Sequence, residues 1–169
     1  MLGSDGSTAD ASVNFGQREF TYNAPSGFKA VCATNLPSPT LTNPRTAFKA
    51  FEYTGNGSSQ TINVGFDPDV VWFKQRGTTQ HHLLCNTIRG ATKQLLPNLI
   101  NTESTDAQNL NSYVSNGFLV GSGHTVNENG QKHMAYCWEL GSSNVSNTDG
   151  SLTSTIRANQ DLGCSIIQY

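Results

Sequence analysis

Short segments of alternating apolar and polar residues, separated by turns, constrain the fold of this chain more than any other feature. Met134, Tyr136, Trp138 and Leu140 are spaced two residues apart, and side chains with this spacing share one face of a β-strand. Segment 69–74 is apolar on both faces in its middle, which is typical of a central strand. The pattern predicts an all-β fold of antiparallel strands, arranged as a β-sandwich or jelly roll.

Composition agrees with this reading and excludes several classes of partner. Charged residues make up only 13% of the chain, against roughly 25% in an average globular domain, and Ser, Thr, Asn, Gln and Gly replace them. The net charge is −2 with no basic stripe, so we expect no nucleic-acid partner. No apolar run is long enough to cross a bilayer. Residues 1–8 have neither a positive start nor an apolar stretch, so we expect no secretory signal and no membrane insertion.

Turn residues and alternation together predict where the strands lie. Strands 48–53 and 60–64 flank a Thr-Gly-Asn-Gly turn and are expected to pair as a hairpin. A helical turn fits only within residues 88–101, where Pro97 limits it. The predicted strands cover residues 12–16, 28–32, 48–53, 60–64, 69–74, 81–87, 110–114, 117–121, 134–140, 151–157 and 164–169. Residues 23–27 and 127–130 are expected to be turns, and 141–150 a polar loop.

A proline-rich segment divides the chain into two parts. Residues 35–46 contain three prolines, which disfavour both helix and central strand, so this segment is expected to be an extended linker. The last residues, 164–169, are similar to 48–53, the strand before the Thr-Gly-Asn-Gly turn. This similarity suggests that a second copy of the unit begins there and that the chain is a fragment of a longer protein.

Two groups of motifs carry a family resemblance. Residues 13–20 (VNFGQREF) and 24–32 (APSGFKAVC) resemble the last strands of a SPRY-type concanavalin-like domain found in tail-fibre and other structural proteins of marine bacteriophages. Residues 36–40 (LPSPT) are similar to the connector that follows there, and Glu19 replaces the usual proline. The ordered motifs 53–57 (YTGNG), 66–76 (FDPDVVWFKQR), 87–90 (TIRG), 116–118 (NGF) and 135–138 (AYCW) resemble the module that commonly follows. Cys85-Asn86 departs from that family, which usually has an Asp before Thr-Arg-Gly.

The resemblance implies a domain plan and a class of function. Residues 1–34 would be the C-terminal strands of a truncated SPRY-like domain, 35–46 the linker, and 47–169 a concanavalin-like β-sandwich module. The chain would be a non-enzymatic component of a phage virion, in a tail fibre, with other virion subunits and a host-surface glycan as partners. Fibre proteins are commonly trimeric, so a homo-oligomer is also implied. The resemblance implies neither a cofactor nor catalytic residues.

Catalytic and metal-binding alternatives find little support in the residues. Glucanases on the same sandwich use two carboxyls about 5 to 5.5 Å apart. The glutamates stand isolated, and Asp67-Pro68-Asp69 is the one close acidic pair, so we expect no catalysis. In Gly121-Ser122-Gly123-His124 we expect a glycine turn rather than a nucleophile elbow. His81 and His82 are adjacent and point to opposite faces of a strand, so we expect no metal site.

The cysteines and the aromatic residues are assigned to the interior. Cys32, Cys85, Cys137 and Cys164 are widely separated, which favours buried free thiols, with two disulfides as the open alternative. Trp72, Tyr136 and Trp138 have rings that suit the C–H faces of sugars. They lie in the two most apolar strands, however, so we expect them to fill the core.

Recognition is expected in the loops, which are rich in Asn, Ser, Thr, Gly and Gln. The candidate ligand-binding residues are Arg76, His82, Arg89, Asn127 and Asn129. For the two arginines, a structural contact to a carbonyl or carboxylate is favoured over a ligand contact. Three functions remain open: a phage virion module, a lectin-like carbohydrate-binding domain outside any virus, and a glycan-cleaving enzyme on the same fold.

Overall fold

A computed structural model describes residues 13–14, 18–29, 35–38 and 40–169, in two compact units. The units are 1–40 and 41–169, so the division falls within the proline-rich segment. In the first unit the predicted turn at 23–27 is confirmed: the Phe28 amide donates to the Pro25 carbonyl at 3.0 Å, and Gly27 has a φ of +83°. The predicted strands 12–16 and 28–32 lie largely outside the described residues.

The second unit is almost entirely β-structure, which confirms the expected all-β class. Its elements are, in chain order, a 3₁₀ helix at Pro44–Thr46, β1 (Phe48–Thr54), β2 (Gln60–Asn63), β3 (Val70–Gln75), β4 (Leu83–Asn86), β5 (Gly90–Leu95), β6 (Ser104–Thr105), β7 (Leu110–Val114), β8 (Gly117–Val120), α1 (His124–Asn127), β9 (Lys132–Trp138), β10 (Val145–Asn147), β11 (Ser154–Asn159) and β12 (Cys164–Gln168). Within the part of the chain that the structure describes, no helix is long and apolar enough to cross a bilayer.

Two antiparallel sheets form the sandwich. One has six strands in the order β1-β9-β3-β4-β5-β6, and the other has three in the order β2-β8-β7. β3 lies inside the larger sheet, between β9 and β4, which confirms its prediction as a central strand. Apolar side chains from both sheets meet between the layers, where the Phe73 and Phe118 rings pack edge to face with centroids 5.3 Å apart. The expected jelly-roll order stays a prediction.

The predicted hairpin between residues 48–53 and 60–64 is wrong. β1 pairs with β9, so that Phe48 faces Trp138, while β2 pairs with β8 in the other sheet. The connection between β1 and β2 crosses from one layer to the other because it is bound to the segment before β9. There the Gly55 amide donates to the Gln131 carbonyl at 2.9 Å, and the Asn56 amide donates to Asn127 Oδ1 at 3.0 Å.

Two further expectations are corrected within the second unit. Residues 88–101 are not the part of the second unit that holds a helical turn: the short helix α1 lies at His124–Asn127, and Gly90–Leu95 forms strand β5, which pairs with β4 and β6. Its backbone groups bond across the sheet instead of along the chain. The expected loop 141–150 contains strand β10, which pairs with β11.

A third sheet, with the order β10-β11-β12, is joined to the large sheet by a buried ion pair. Arg157 Nε on β11 lies 2.7 Å from the carboxylate of Asp69, which is only 2% exposed. The same carboxylate accepts a hydrogen bond from the Leu140 amide at 2.7 Å and another from the Thr87 hydroxyl at 3.1 Å. Asp69 therefore connects the start of β3, the end of β4, the end of β9 and the third sheet.

Candidate functional site

The large sheet has an outer face, turned away from the core, which carries aromatic side chains. Along β3 the buried residues are Val71, Phe73 and Gln75, and along β9 they are His133, Ala135 and Cys137. The alternate residues are half-buried and form the outer face; they are Val70, Trp72 and Lys74 of β3 and Met134, Tyr136 and Trp138 of β9. Antiparallel pairing places Trp72 beside Tyr136 and Val70 beside Trp138.

The rings on this face make three contacts, which involve β1, β9, β3 and the residue just before β4. The Phe48 and Trp138 centroids lie 5.1 Å apart, Trp72 and Tyr136 meet edge to face at 6.5 Å, and the Trp72 and His82 rings are 5.7 Å apart. Each ring restrains its neighbour, so the face presents preoriented aromatic surface. Such a surface can bind an apolar ligand face without first ordering flexible side chains.

Two cavities on the outer face share Trp72 and Trp138 and together form one groove, here called the aromatic groove. The first has a volume of about 360 Å³ and is lined by Trp72, Lys74, His82, Tyr136 and Trp138. The second, of about 380 Å³, is lined by Val70, Trp72, Leu84, Asn86, Trp138, Leu140 and, from the third sheet, Cys164, Ser165 and Ile166. These volumes are within the range of small-ligand sites in proteins.

Polar groups lie at the His82 end of the aromatic groove. The Trp72 indole N–H donates to His82 Nδ1 at 3.0 Å, which leaves Nε2 of the neutral ring as a donor. The Lys74 ammonium donates to the Gln80 carbonyl at 2.6 Å and retains two further N–H groups. The Asn98 side chain holds the segment before β4 in place, because its Oδ1 accepts a hydrogen bond from the His82 amide at 3.0 Å. The groove therefore combines stacking surface with directed donors.

The expectation that Trp72, Tyr136 and Trp138 fill the core is wrong. All three lie outside the buried core cluster, on the opposite face of the sheet. The alternation correctly predicts which residues share a face, but both faces of β3 are apolar, and this pattern does not reveal which face the second sheet covers. The covered face could have been identified from Ala135 and Cys137, which alternate with the aromatic residues of β9. Their small side chains permit close approach of a second layer.

The five candidate ligand-binding residues are not brought together. His82 lines the aromatic groove. Arg76 is exposed and forms an ion pair with Glu52. Arg89 forms an ion pair with Glu103. Both arginines therefore make a structural contact to a carboxylate, as the sequence predicts.

The two asparagine candidates have different environments. Asn127 is fully buried and joins three segments through its side chain, which donates to the Gly121 carbonyl at 2.6 Å and accepts from Gln60 Nε2 at 3.1 Å. Its contacts are those of a structural residue. Asn129 is exposed in the turn before β9. Sequence reasoning did not select Lys74, Leu84 or Ile166, which line the groove.

Three acidic residues line a separate polar cavity of about 500 Å³; they are Asp67, Asp69 and Glu139, and Arg157 lies beside them. Asp67 accepts a hydrogen bond from the Asn116 amide at 2.6 Å, and Asp69 forms the ion pair with Arg157. Glu139 accepts hydrogen bonds from the Gly141 amide at 2.9 Å and from Asn159 Nδ2 at 2.6 Å. Each carboxylate thus fixes a loop or strand end.

Cysteine and metal chemistry can be stated for the described residues. Cys85 and Cys137 are buried free thiols, as expected, whereas Cys164 is free and exposed; Cys32 lies outside the described residues. Burial raises the pKa of the Cys85 thiol to about 12, and it raises that of Cys137 to about 12 against the opposing effect of Lys49. No cluster of three or more His, Cys, Asp or Glu side chains suited to a metal ion occurs in the described ranges.

The fold and the groove define a class: a β-sandwich domain with a ligand-sized aromatic groove on the outer face of its larger sheet. Residues 43–169 match the family described as "Domain of unknown function (DUF7483)". Because the match covers more than half of the chain, the chain belongs to this family. Searches of curated proteins and of solved structures found no match.

Proposed function

We propose that this chain is a non-enzymatic module of a phage virion, of the tail-fibre type, which binds a glycan on the host surface through the aromatic groove. The observation that carries the glycan proposal is the position of Trp72, Tyr136 and Trp138. Their rings are partly exposed on the outer face of the sheet, although they are large apolar groups whose burial is strongly favourable. Aromatic faces of this kind suit the C–H faces of sugar rings.

The roles of the carboxylates support a binding function over glycan cleavage. Glycosidases require one carboxyl that donates a proton and a second that acts on the anomeric carbon or on water. Asp67, Asp69 and Glu139 are each engaged in hydrogen bonds that hold backbone segments together. The aromatic groove has no carboxylate among its described lining residues.

The virion assignment and the concanavalin-like topology are supported by the family resemblance of the ordered sequence motifs. A lectin-like domain outside a virus would use the same groove, so the two alternatives differ in where the protein is found. An antibody against the chain should label purified particles of the encoding phage at the tail. Particles that lack the protein would contradict the virion proposal and leave the glycan-binding proposal standing.

Glycan binding is tested on a printed array that contains neutral, carboxylated and sulfated glycans. The chain should bind a subset saturably, and Tyr136→Ala and Trp138→Ala should each weaken binding about tenfold or more, since truncation of a central aromatic contact costs roughly 2 kcal/mol. Tyr169→Ala, which removes an exposed ring at the end of the chain, serves as the matched control. Folding of each variant is verified by its Tm. Binding that the two groove variants leave unchanged would contradict the proposal.

A further inference from the structure

One end of the outer face carries an excess of positive charge. Of the described residues on this face, Lys74, Arg76 and Lys132 lie there with one carboxylate, Glu52; the Glu128 carboxylate lies on the inner face, bonded to Gln75 of β3. Strand register places Glu52 and Lys74 on either side of Met134. The Arg76 guanidinium is paired with Glu52, and the Lys132 ammonium lies 3.8 Å from the same carboxylate. This group, here called the cationic end, stands out because the whole chain has a net charge of −2.

The cationic end is continuous with the aromatic groove through Lys74. Lys74 lines the groove beside His82 and Tyr136, and Trp72 is two residues before it on the same strand face. A ligand stacked on Trp72 and Tyr136 therefore lies next to an ammonium group and the donor nitrogen of His82. No carboxylate occurs among the described groove-lining residues, so these donors face no competing acceptor from an acidic side chain inside the groove.

We propose that the ligand of the aromatic groove is an acidic glycan, whose sugar ring stacks on Trp72 and Tyr136 while its carboxylate or sulfate group binds Lys74. This inference rests on the proposed function and specifies its ligand class. A carboxylate and a sulfate share the property that Lys74 recognises, a negative charge on oxygen. The excess of cations at the adjacent end attracts the same charge at longer range and speeds association with an acidic polymer.

The first experiment compares polymers that differ in charge and share a backbone. Polygalacturonate is compared with its methyl ester, and dextran sulfate with dextran, by titration against the intact chain in low salt. The acidic member of at least one pair should bind roughly tenfold tighter than its neutral partner, because charge-assisted hydrogen bonds are the stronger ones. The preferred pair also identifies whether the anion is a carboxylate or a sulfate. Added salt should weaken this binding, since exposed charges are screened.

Variants of Lys74 separate recognition from general electrostatic adsorption. Lys74→Gln should remove most of the preference for the acidic polymer, and Lys74→Arg, which keeps the charge, should retain it. Tyr136→Ala should weaken binding to the acidic polymer as well, because stacking and charge act on one ligand. Acidic binding that is insensitive to Tyr136→Ala would be adsorption outside the groove and would overturn the inference.

The remaining outcomes distinguish this inference from the proposed function. Equal binding of neutral and acidic glycans, abolished by Tyr136→Ala and unaffected by Lys74→Gln, would overturn the inference and leave the proposed function intact. No binding to any glycan on the array would overturn both. A groove occupied by a second copy of the chain would appear as a dimer in sedimentation that Trp138→Ala dissociates, and this result would also overturn the inference.

Discussion

His133 is the most unusual side chain of the core. It is fully buried on β9, and among the described residues its ring nitrogens lie near the backbone of Thr125 and Glu128 without a well-formed hydrogen bond. Its ring stacks on Tyr53 of β1 with the centroids 5.4 Å apart. Desolvation lowers its pKa below the ordinary value, while the backbone of Glu128 and Thr125 and the Glu128 carboxylate act in the opposite direction. The fold therefore favours the neutral imidazole.

The His133 environment predicts that the protein loses stability in mild acid. The unfolded chain takes up a proton near the ordinary histidine pKa, whereas the folded chain does so only at lower pH, so the free energy of unfolding falls as the pH decreases through this window. Urea denaturation at about pH 7.5 and about pH 5.5 measures the change. His133→Phe should reduce the difference between the two conditions. Stability that is constant or higher at the acidic pH would contradict this account.

The described cysteines differ in exposure, and this difference predicts their reactivity. Cys85 and Cys137 are buried with raised pKa values, and Cys164 is exposed. Only a thiolate reacts readily with alkylating reagents. Iodoacetamide treatment of the native protein, followed by peptide mass spectrometry, should label Cys164 and leave Cys85 and Cys137 unmodified, while treatment in denaturant labels all three. Rapid native labelling of either core thiol would show that the sandwich opens readily.

At the scale of the strands, the Asp69–Arg157 ion pair joins the third sheet to the large one. Asp69→Asn would leave the Arg157 guanidinium, which is 18% exposed, without its charged partner. Removal of one member of a buried ion pair costs roughly 3 to 5 kcal/mol, so the free energy of unfolding should fall by about 3 kcal/mol in urea denaturation.

The exposed ion pair between Glu52 and Arg76 provides the matched comparison for Asp69→Asn. Glu52→Gln removes a carboxylate that is 38% exposed, and exposed pairs contribute about 1 kcal/mol or less. The two substitutions make the same chemical change, from a carboxylate to an amide. Equal losses of stability in the two variants would contradict the structural role of Asp69.

Most strands of the second unit are predictable from sequence, but their partners are not. Alternation correctly locates six strands, with every end within two residues of the observed one: β1, β2, β3, β7, β8 and β9. Pairing depends on contacts between distant segments. The Thr-Gly-Asn-Gly turn resembles a hairpin loop, yet Gly55 and Asn56 bond to the segment before β9, and this tertiary contact sends β2 into the other sheet. Strand β5 lacks alternation, so only its pairing with β4 and β6 identifies it.

At the scale of the whole molecule, the sandwich determines where a ligand can bind. The six-stranded sheet exceeds the three-stranded sheet that covers its inner face, and the third sheet contributes Cys164, Ser165 and Ile166 to one half of the groove on the outer face. The sandwich class was predictable from period-two alternation. The groove was not predictable, because side-chain volume in both layers decides which face of the large sheet the second sheet covers. On β9 the small Ala135 and Cys137 are on the covered face, and Tyr136 and Trp138 are on the other face.

Tryptophan fluorescence tests the central claim, that the aromatic groove binds a glycan, most directly. The chain has two tryptophans, and both of them, Trp72 and Trp138, line the groove. A glycan that binds on the array should therefore change the emission of the intact chain saturably, with the midpoint that calorimetry gives, and Trp138→Phe should retain the part due to Trp72. Saturable binding by calorimetry with no change in tryptophan emission would place the ligand elsewhere and contradict the account.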